Sequence, residues 1–286
     1  MSRSPSRRLA ICADDFGMND DVDGAILDLV VRHRVTTVSC LVGGDSWARQ
    51  GPRLARQPLG IVETGLHFDL TWSPLGGLAP RPLPILIAGA LARALSATLL
   101  RDQVGRQLDA FEAVMQRVPD HVDGHQHVHQ LPMVRDALLE VLDRRYPGEL
   151  PWIRSTLPSS GSTGKARLID LLGGQACRRA AAARGRVTSG RLLGVHDFHT
   201  DAAGYAALLD GWVAECRDGD VLMCHPGWSP GADDDPLRVM RGIEWLVLSG
   251  DAFGQTLARE QVMLSPWSRA RPLHDESPGS PPVPAR

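Results

Sequence analysis

Two aspartates and three histidines occupy positions where chemistry could occur in this 286-residue chain. Asp14 and Asp15 are adjacent and end a short apolar run, while His67, His125 and His225 each lie at or just after the end of another predicted strand. Neighbouring carboxylates repel each other and raise each other's pKa, so the pair predicts a metal ion or a shared proton. The alternative is a turn in which Asp15 caps the next helix.

One carboxylate and two neutral imidazoles suit Zn²⁺ or a similar divalent ion and leave positions open for water and substrate. We therefore predict Asp15, His67 and His125 as metal ligands. Asp14 would then take a proton from a water whose pKa the ion has lowered. His225 is predicted to be a general acid for the leaving group or a stabiliser of developing charge, with a plain loop histidine as the alternative.

Four of the ten histidines lie within residues 121–129. The clustering favours a metal or substrate site, although a surface histidine-rich loop is an alternative, and His67 alone would suit an ordinary strand-end histidine. Asp123 could be a ligand, an acceptor that orients an imidazole, or a turn residue beside Gly124. His127 is a further candidate for substrate contact.

Two more side chains are predicted to contact substrate or support the ligands. Arg154 ends a predicted strand, where its guanidinium could bind an oxyanion or a sugar, or pair with an acid. Trp228 follows closely after His225 in the run CHPGW.

The elements that must position these residues alternate between strand and helix at least six times. Strands are predicted at residues 9–13, 35–42, 60–70, 152–156, 192–198 and 220–224. Helical stripes lie between them, with caps predicted at Asn19 or Asp20 and at Asp201, and one markedly apolar helix is expected from Ile85. Such alternation predicts a parallel sheet, open or closed into a barrel, with its site at the carboxyl ends of the strands.

Composition narrows the class of protein. The formal charge is −2, with 43% apolar and 22% charged residues, which gives no electrostatic case for nucleic acid or an anionic membrane. The five cysteines form no C-x-x-C pair, so we expect a reducing cytoplasm. The first apolar run is too short for a signal peptide, and residues 85–100 are too short for a membrane span. That apolar stretch would suit a homodimer interface.

We expect one catalytic domain over residues 9–268, between a flexible N-terminus at residues 1–8 and a disordered tail at residues 269–286 that is rich in proline and serine.

Four ordered motifs carry a family resemblance. They are CADDFG near the N-terminus, GLHFDLT at residues 65–71, DGHQHVH at residues 123–129 and CHPGW at residues 224–228. Over residues 9–248 the chain resembles the YdjC/ChbG-like family of carbohydrate deacetylases, which includes the hopanoid-associated HpnK-type members. The resemblance implies a single-domain distorted (β/α) barrel and removal of an N-acetyl group from an amino sugar or chito-oligosaccharide. It also implies a divalent ion, Mg²⁺ or Zn²⁺, on Asp15, His67 and His125, with Asp14 as catalytic base.

Two positions depart from the family pattern. Gln126 replaces the middle one of three consecutive histidines, and Val221 stands where an acid often precedes the last histidine by four residues. Neither change removes a predicted ligand. The alternatives are deformylation or another metal-dependent hydrolysis on the same scaffold, or a catalytically silent module that binds sugar or metal. Specificity is expected from the loops at residues 74–84 and 157–164.

Overall fold

The protein is described from a computed structural model that covers residues 6–148, 150–162, 164–228 and 235–271. Most of the predicted disordered tail, residues 272–286, lies outside these ranges, as do residues 1–5 of the predicted flexible N-terminus. Arg7 and Arg8, however, belong to the first strand, which begins two residues earlier than predicted and pairs with the last strand near the C-terminal end of the described chain.

One parallel sheet forms the centre of the molecule. Its strands are β1 (Arg7–Phe16), β2 (Thr37–Cys40), β3 (Glu63–Phe68), β4 (His121–Gly124), β5 (Trp152–Ile153), β6 (Leu157–Pro158), β7 (Arg191–Leu193), β8 (Val221–Cys224) and β9 (Val262–Leu264). Their spatial order is β5-β4-β3-β2-β1-β8-β7-β6, and β9 pairs with the beginning of β1. Every strand pair is parallel, as the alternation of strands and helices predicts.

The sheet curls into a distorted barrel, which confirms the predicted fold class. Ile153 of β5 forms a parallel bridge to Thr188, just before β7, so the two ends of the sheet approach each other. β1 lies at the centre and is buried from Leu9 onward, because its side chains pack on both faces of the sheet. The carboxyl ends of the long central strands therefore open toward one side of the molecule.

Eleven α-helices in the described ranges pack around the sheet. They are α1 (Asp20–Val31), α2 (Trp47–Ala55), α3 (Leu83–Leu91), α4 (Ala97–Met115), α5 (Val134–Arg145), α6 (Gly164–Ile169), α7 (Gln175–Ala182), α8 (Ala202–Glu215), α9 (Arg238–Ser249), α10 (Asp251–Arg259) and α11 (Trp267–Ala270). The cap predictions are confirmed at both sites. Asn19 accepts a hydrogen bond from the Val22 amide at 3.0 Å, and Asp201 accepts one from the Gly204 amide at 2.8 Å.

The apolar stretch from Ile85 differs from its prediction, because it forms two helices instead of one. Arg93 adopts a left-handed φ of 54° just after α3, and the Ser96 hydroxyl accepts a hydrogen bond from the Leu99 amide to start α4. Within α3, Leu86 and Ala90 are buried, whereas Ile85 is exposed. The short elements from α10 onward had no counterpart in the sequence prediction.

All five cysteines are buried and unpaired. Within the part of the chain that the structure describes, no helix combines the length and the apolar character that a membrane crossing needs.

Candidate active site

The end of β1 departs from regular strand geometry at the paired aspartates. Consecutive side chains of a strand point to opposite faces. Here the register with β2 shifts between Ala13 and Phe16, and Asp15 takes a left-handed φ of 69°. As a result, Asp14 and Asp15 both line one cavity. The helix-cap alternative for Asp15 is wrong, since Asn19 caps α1.

A buried hydrogen-bond network holds the turn that follows. Gly17 has a φ of 99°, and a Cβ there would lie 2.5 Å from the Leu41 carbonyl oxygen, so this position requires glycine. The Gly17 amide donates to Asp23 Oδ1 at 2.5 Å, and the Ser46 hydroxyl donates to Asp23 Oδ2 at 2.6 Å. Burial raises the pKa of Asp23 to about 7. The turn that carries Asp15 is thus fastened to α1.

Asp15, His67 and His125 come together as predicted. Asp15 Oδ1 lies 3.1 Å from His125 Nδ1 and 3.4 Å from His67 Nε2. Two ligand atoms on one tetrahedral zinc ion are separated by roughly 3.4 Å, so this spacing fits a shared ion. All three residues line the cavity. Asp123, which belongs to both other potential ligand groups among the described residues, is not part of the cavity wall.

The charges around this donor set favour a cation. Burial alone would lower the pKa of His67, but the carboxylates of Asp123 and Asp14 raise it to about 10. Burial would raise the pKa of Asp15, but Arg241 and the hydrogen bonds from His125 and His67 hold it well below its usual range. The carboxylate is therefore ionised, and the field that retains a proton on His67 would also attract a metal ion.

Asp123 supports the donor set from below. Its Oδ1 lies 2.6 Å from His67 Nδ1, and its Oδ2 accepts a hydrogen bond from the Ser39 hydroxyl at 2.6 Å. His121 Nε2 also lies 2.8 Å from Ser39 Oγ. Of the alternatives for Asp123, the geometry favours the acceptor that orients an imidazole.

Arg154 pairs with an acid. Its two terminal nitrogens donate to the two oxygens of Asp14 at 2.7 and 2.8 Å, and the whole pair is buried. Arg154 Nη1 also lies 3.1 Å from Asp123 Oδ2, and His129 Nε2 lies 3.0 Å from the Arg154 carbonyl oxygen. The guanidinium therefore fixes the orientation of Asp14 and links it to the residue behind His67.

His225 follows β8 and reaches the same part of the cavity. Its Nε2 lies 3.9 Å from Asp14 Oδ2, and its backbone amide donates to Glu244 Oε2 at 2.5 Å. Phe198 contacts the imidazole edge-on, with ring centroids 5.4 Å apart. Burial lowers the pKa of His225 although Asp15 acts in the opposite direction, so the imidazole is mainly neutral at neutral pH.

The site forms part of the wall of a cavity of about 600 Å³. This volume lies within the range of small-molecule sites. Besides the charged groups, the wall contains aromatic and aliphatic side chains suited to the faces of a sugar ring, namely Met18, Trp72, Leu83, Ile169, Val195, Phe198, Met223 and Leu237.

The predicted residues His127 and Trp228, and the departing residue Gln126, differ in whether they line the cavity. His127 lines the cavity but does not belong to the close donor group, and its buried Nδ1 has no hydrogen-bond partner in the described structure. Gln126 also lines the cavity. Trp228 packs its ring against Gly24 on α1 and is not among the cavity-lining residues.

Sequence reasoning missed two charged residues on α9. Arg241 donates to Asp15 Oδ2 at 2.8 Å, while Glu244 holds the His225 amide. Both lie on the face of α9 that carries buried Leu248, at helical spacing from it. A charged residue on an apolar helix face implies an internal partner, and that pattern was the available clue.

A comparison with known families matches the YdjC-like protein family over residues 8–259. The chain belongs to the YdjC-like family. Among relatives of this YdjC-like chain, a human protein named carbohydrate deacetylase is 28% identical over 255 residues, covering 80% of this chain and 77% of its own length. An Enterobacter protein named chitooligosaccharide deacetylase is 30% identical over 147 residues, covering 48% of this chain and 56% of its own length.

Solved structures share the fold of this YdjC-like chain. A putative cellobiose-phosphate cleavage protein from Enterococcus faecalis has a TM-score of 0.64 at 18% identity, over 93% of this chain and 99% of its own. A family 4 acetyl xylan esterase from Clostridium thermocellum, in complex with a cobalt ion, has a TM-score of 0.50 at 13% identity, over 92% and 90%.

Proposed function

We propose that the protein is a metal-dependent hydrolase that removes the N-acetyl group from an amino sugar or chito-oligosaccharide and releases acetate. The observation that carries the proposal is the position of Asp14. This carboxylate is held by Arg154 beside the Asp15, His67 and His125 donor set, in the wall of a cavity large enough for sugar. Family membership and the deacetylase names of the relatives support the same reaction.

We assign the metal ligands to the Asp15, His67 and His125 donor set. Asp15 Oδ1, His67 Nε2 and His125 Nδ1 would hold one divalent ion, and two imidazoles with one carboxylate favour Zn²⁺ while still permitting Mg²⁺. When bound, the ion would supply Lewis acidity to the acetamide carbonyl and lower the pKa of the attacking water.

Proton transfer is assigned to Asp14 and His225. Asp14 would accept the proton of the attacking water, because Arg154 keeps both of its oxygens fixed without burying the group away from the cavity. His225, only 3.9 Å from Asp14, would deliver a proton to the departing sugar amine. Its resting imidazole is mainly neutral, so it must receive that proton during turnover.

Substrate contacts are assigned to the wall of the cavity. His127 and Gln126 offer polar groups near the donor set, and Trp72 and Phe198 offer ring faces for the sugar. Trp228 remains a candidate only for a substrate that extends past the described cavity. Specificity from the loops at residues 74–84 and 157–164 stays a prediction. Among the described residues of these ranges, Leu83, at the start of α3, lines the cavity.

Assembly and location are also proposals. The five unpaired buried cysteines are compatible with a reducing cytoplasm. A homodimer would use the apolar surface of α3, where Ile85 and Leu91 are 59% and 58% exposed.

The deciding experiment is metal analysis of the purified protein, joined to a release assay for acetate, formate and phosphate on N-acetylated, N-formylated and phosphorylated sugars. We expect a bound divalent ion and release of acetate. Formate or phosphate as the main product would favour another hydrolysis, and binding of chito-oligosaccharide without acetate release from metal-loaded protein would favour a silent binding module.

A further inference from the structure

Arg241 forms a buried ion pair with Asp15, one of the proposed metal ligands. Its side chain is 3% exposed, and its Nη2 donates to Asp15 Oδ2 at 2.8 Å. The other oxygen of the same carboxylate, Oδ1, is the one that faces His67 and His125. Each oxygen of Asp15 therefore has a separate partner, which leaves Oδ1 as the single atom directed toward an ion.

A second carboxylate fixes Arg241 in this position. Its Nε donates to Asp235 Oδ2 at 2.5 Å, and the Gly227 amide donates to the Arg241 carbonyl oxygen at 3.1 Å. Since Nε and Nη2 are both held by carboxylates, Arg241 cannot turn away from Asp15 without breaking buried ion pairs.

The charged groups of this network carry a net negative charge. The carboxylates are those of Asp14, Asp15, Asp123 and Asp235, and the guanidinium groups are those of Arg154 and Arg241. With neutral imidazoles the six groups carry two negative charges, which one divalent ion would neutralise. Loss of Arg241 would leave three.

We propose that Arg241 is a positioning residue that sets the charge of the metal centre: it restricts Asp15 to one-oxygen ligation and weakens metal binding in exchange for a more electrophilic ion. A cation on the outer oxygen of a ligand withdraws electron density and repels a second cation nearby. The inference rests on the metal site of the proposed function, but it does not depend on the identity of the substrate.

This role and a purely structural role predict opposite changes in metal affinity when Arg241 is removed. If Arg241 only held Asp15 in place, its removal would loosen the donor set and weaken metal binding. If it sets the charge, removal of the cation strengthens metal binding, because Asp15 and Asp235 both become available to a positive ion.

The test is a competition titration of metal-free protein with Zn²⁺ or Co²⁺ against a chromophoric chelator. Arg241→Met should bind the ion at least about tenfold more tightly than the unchanged protein, and Arg241→Lys, which keeps the charge, should stay within about threefold. Arg191→Met is the matched control, because Arg191 forms a partly buried pair with Asp220 away from the cavity; its metal affinity should not change.

Thermal unfolding of the metal-free variants separates folding from binding. Arg241→Met that remains folded and binds metal with equal or lower affinity would overturn the proposal. If Arg241→Met does not fold, Asp235→Asn gives the reciprocal test: loss of that carboxylate should weaken metal binding, and tighter or unchanged binding would overturn the proposal. An unchanged protein that binds neither ion would contradict the metal site of the proposed function itself.

Discussion

Asp123 Oδ1 lies 2.6 Å from His67 Nδ1, and this contact determines which nitrogen of His67 faces the cavity. With Nδ1 engaged, Nε2 faces Asp15 Oδ1 at 3.4 Å, and its lone pair would become available once a metal ion displaced the proton that His67 retains. A carboxylate behind a ligating histidine fixes the ring and raises its basicity.

Replacement of Asp123 should therefore weaken metal binding without unfolding the protein. We expect Asp123→Asn to lower Zn²⁺ affinity about 10- to 100-fold in the chelator competition assay. Asp136→Asn is the control, since Asp136 lies on the surface of α5. Equal affinities of the two variants would show that the contact with His67 does not support the ligand.

Weakening of the Asp14–Arg154 pair should lower kcat and leave the metal content unchanged. Arg154→Lys keeps a positive charge but loses the two parallel hydrogen bonds to Asp14. We expect kcat for acetate release to fall about tenfold or more while the metal content stays the same, because the base is displaced and the ligands are not. Arg178→Lys, at the Asp170 ion pair, is the control. Unchanged kcat in Arg154→Lys would contradict the role of the pair.

We expect Glu244 to support catalysis by holding the backbone of His225 in place. Glu244→Ala removes the acceptor of the His225 amide, whereas Glu244→Gln retains a carbonyl oxygen at that place. We expect Glu244→Ala to lower kcat about tenfold and Glu244→Gln to lose less. Steady-state kinetics on both variants tests this, and equal losses would indicate that the charge of Glu244 matters rather than its hydrogen bond.

Asp23 predicts a pH dependence of stability. Its pKa is raised to about 7 in the folded protein, so the folded state retains a proton that the unfolded chain releases near pH 4. The stability from this proton is fully present below about pH 4 and is lost as the pH rises through about 7. Asp23→Asn cannot ionise and still has an acceptor for the Gly17 amide.

Urea unfolding across this pH range measures the difference. From about pH 5 to about pH 8, Asp23→Asn should gain roughly 2 to 3 kcal/mol of unfolding free energy relative to the unchanged protein. Asp109→Asn, at an exposed position, should show no such gain. Parallel pH profiles for the unchanged protein and Asp23→Asn would contradict the raised pKa.

The main features of the fold follow from local sequence patterns. The alternation of apolar runs and helical stripes predicts the parallel sheet, and side-chain oxygens at Asn19 and Asp201 mark two helix starts. Interruptions were harder to foresee. The break between α3 and α4 depends on the left-handed backbone of Arg93, and arginine is not a residue type that predicts this conformation.

The residues of the candidate site were also predictable only in part. Asp15, His67 and His125 could be predicted because each ends a strand at the same edge of a parallel sheet, where side chains must meet. Arg241 and Glu244 could not be assigned, because they reach the site from a helix and their partners are distant in sequence. Their contacts depend on how α9 packs, which no short motif encodes.

The role of Asp14 as catalytic base is tested most directly by the Asp14→Asn variant, measured for metal content and for acetate release from di-N-acetylchitobiose. With metal supplied in excess, we expect an unchanged metal content and a kcat reduced about 10²- to 10⁴-fold, because the ligands remain and the base is lost. Full turnover by the metal-loaded variant would contradict that role.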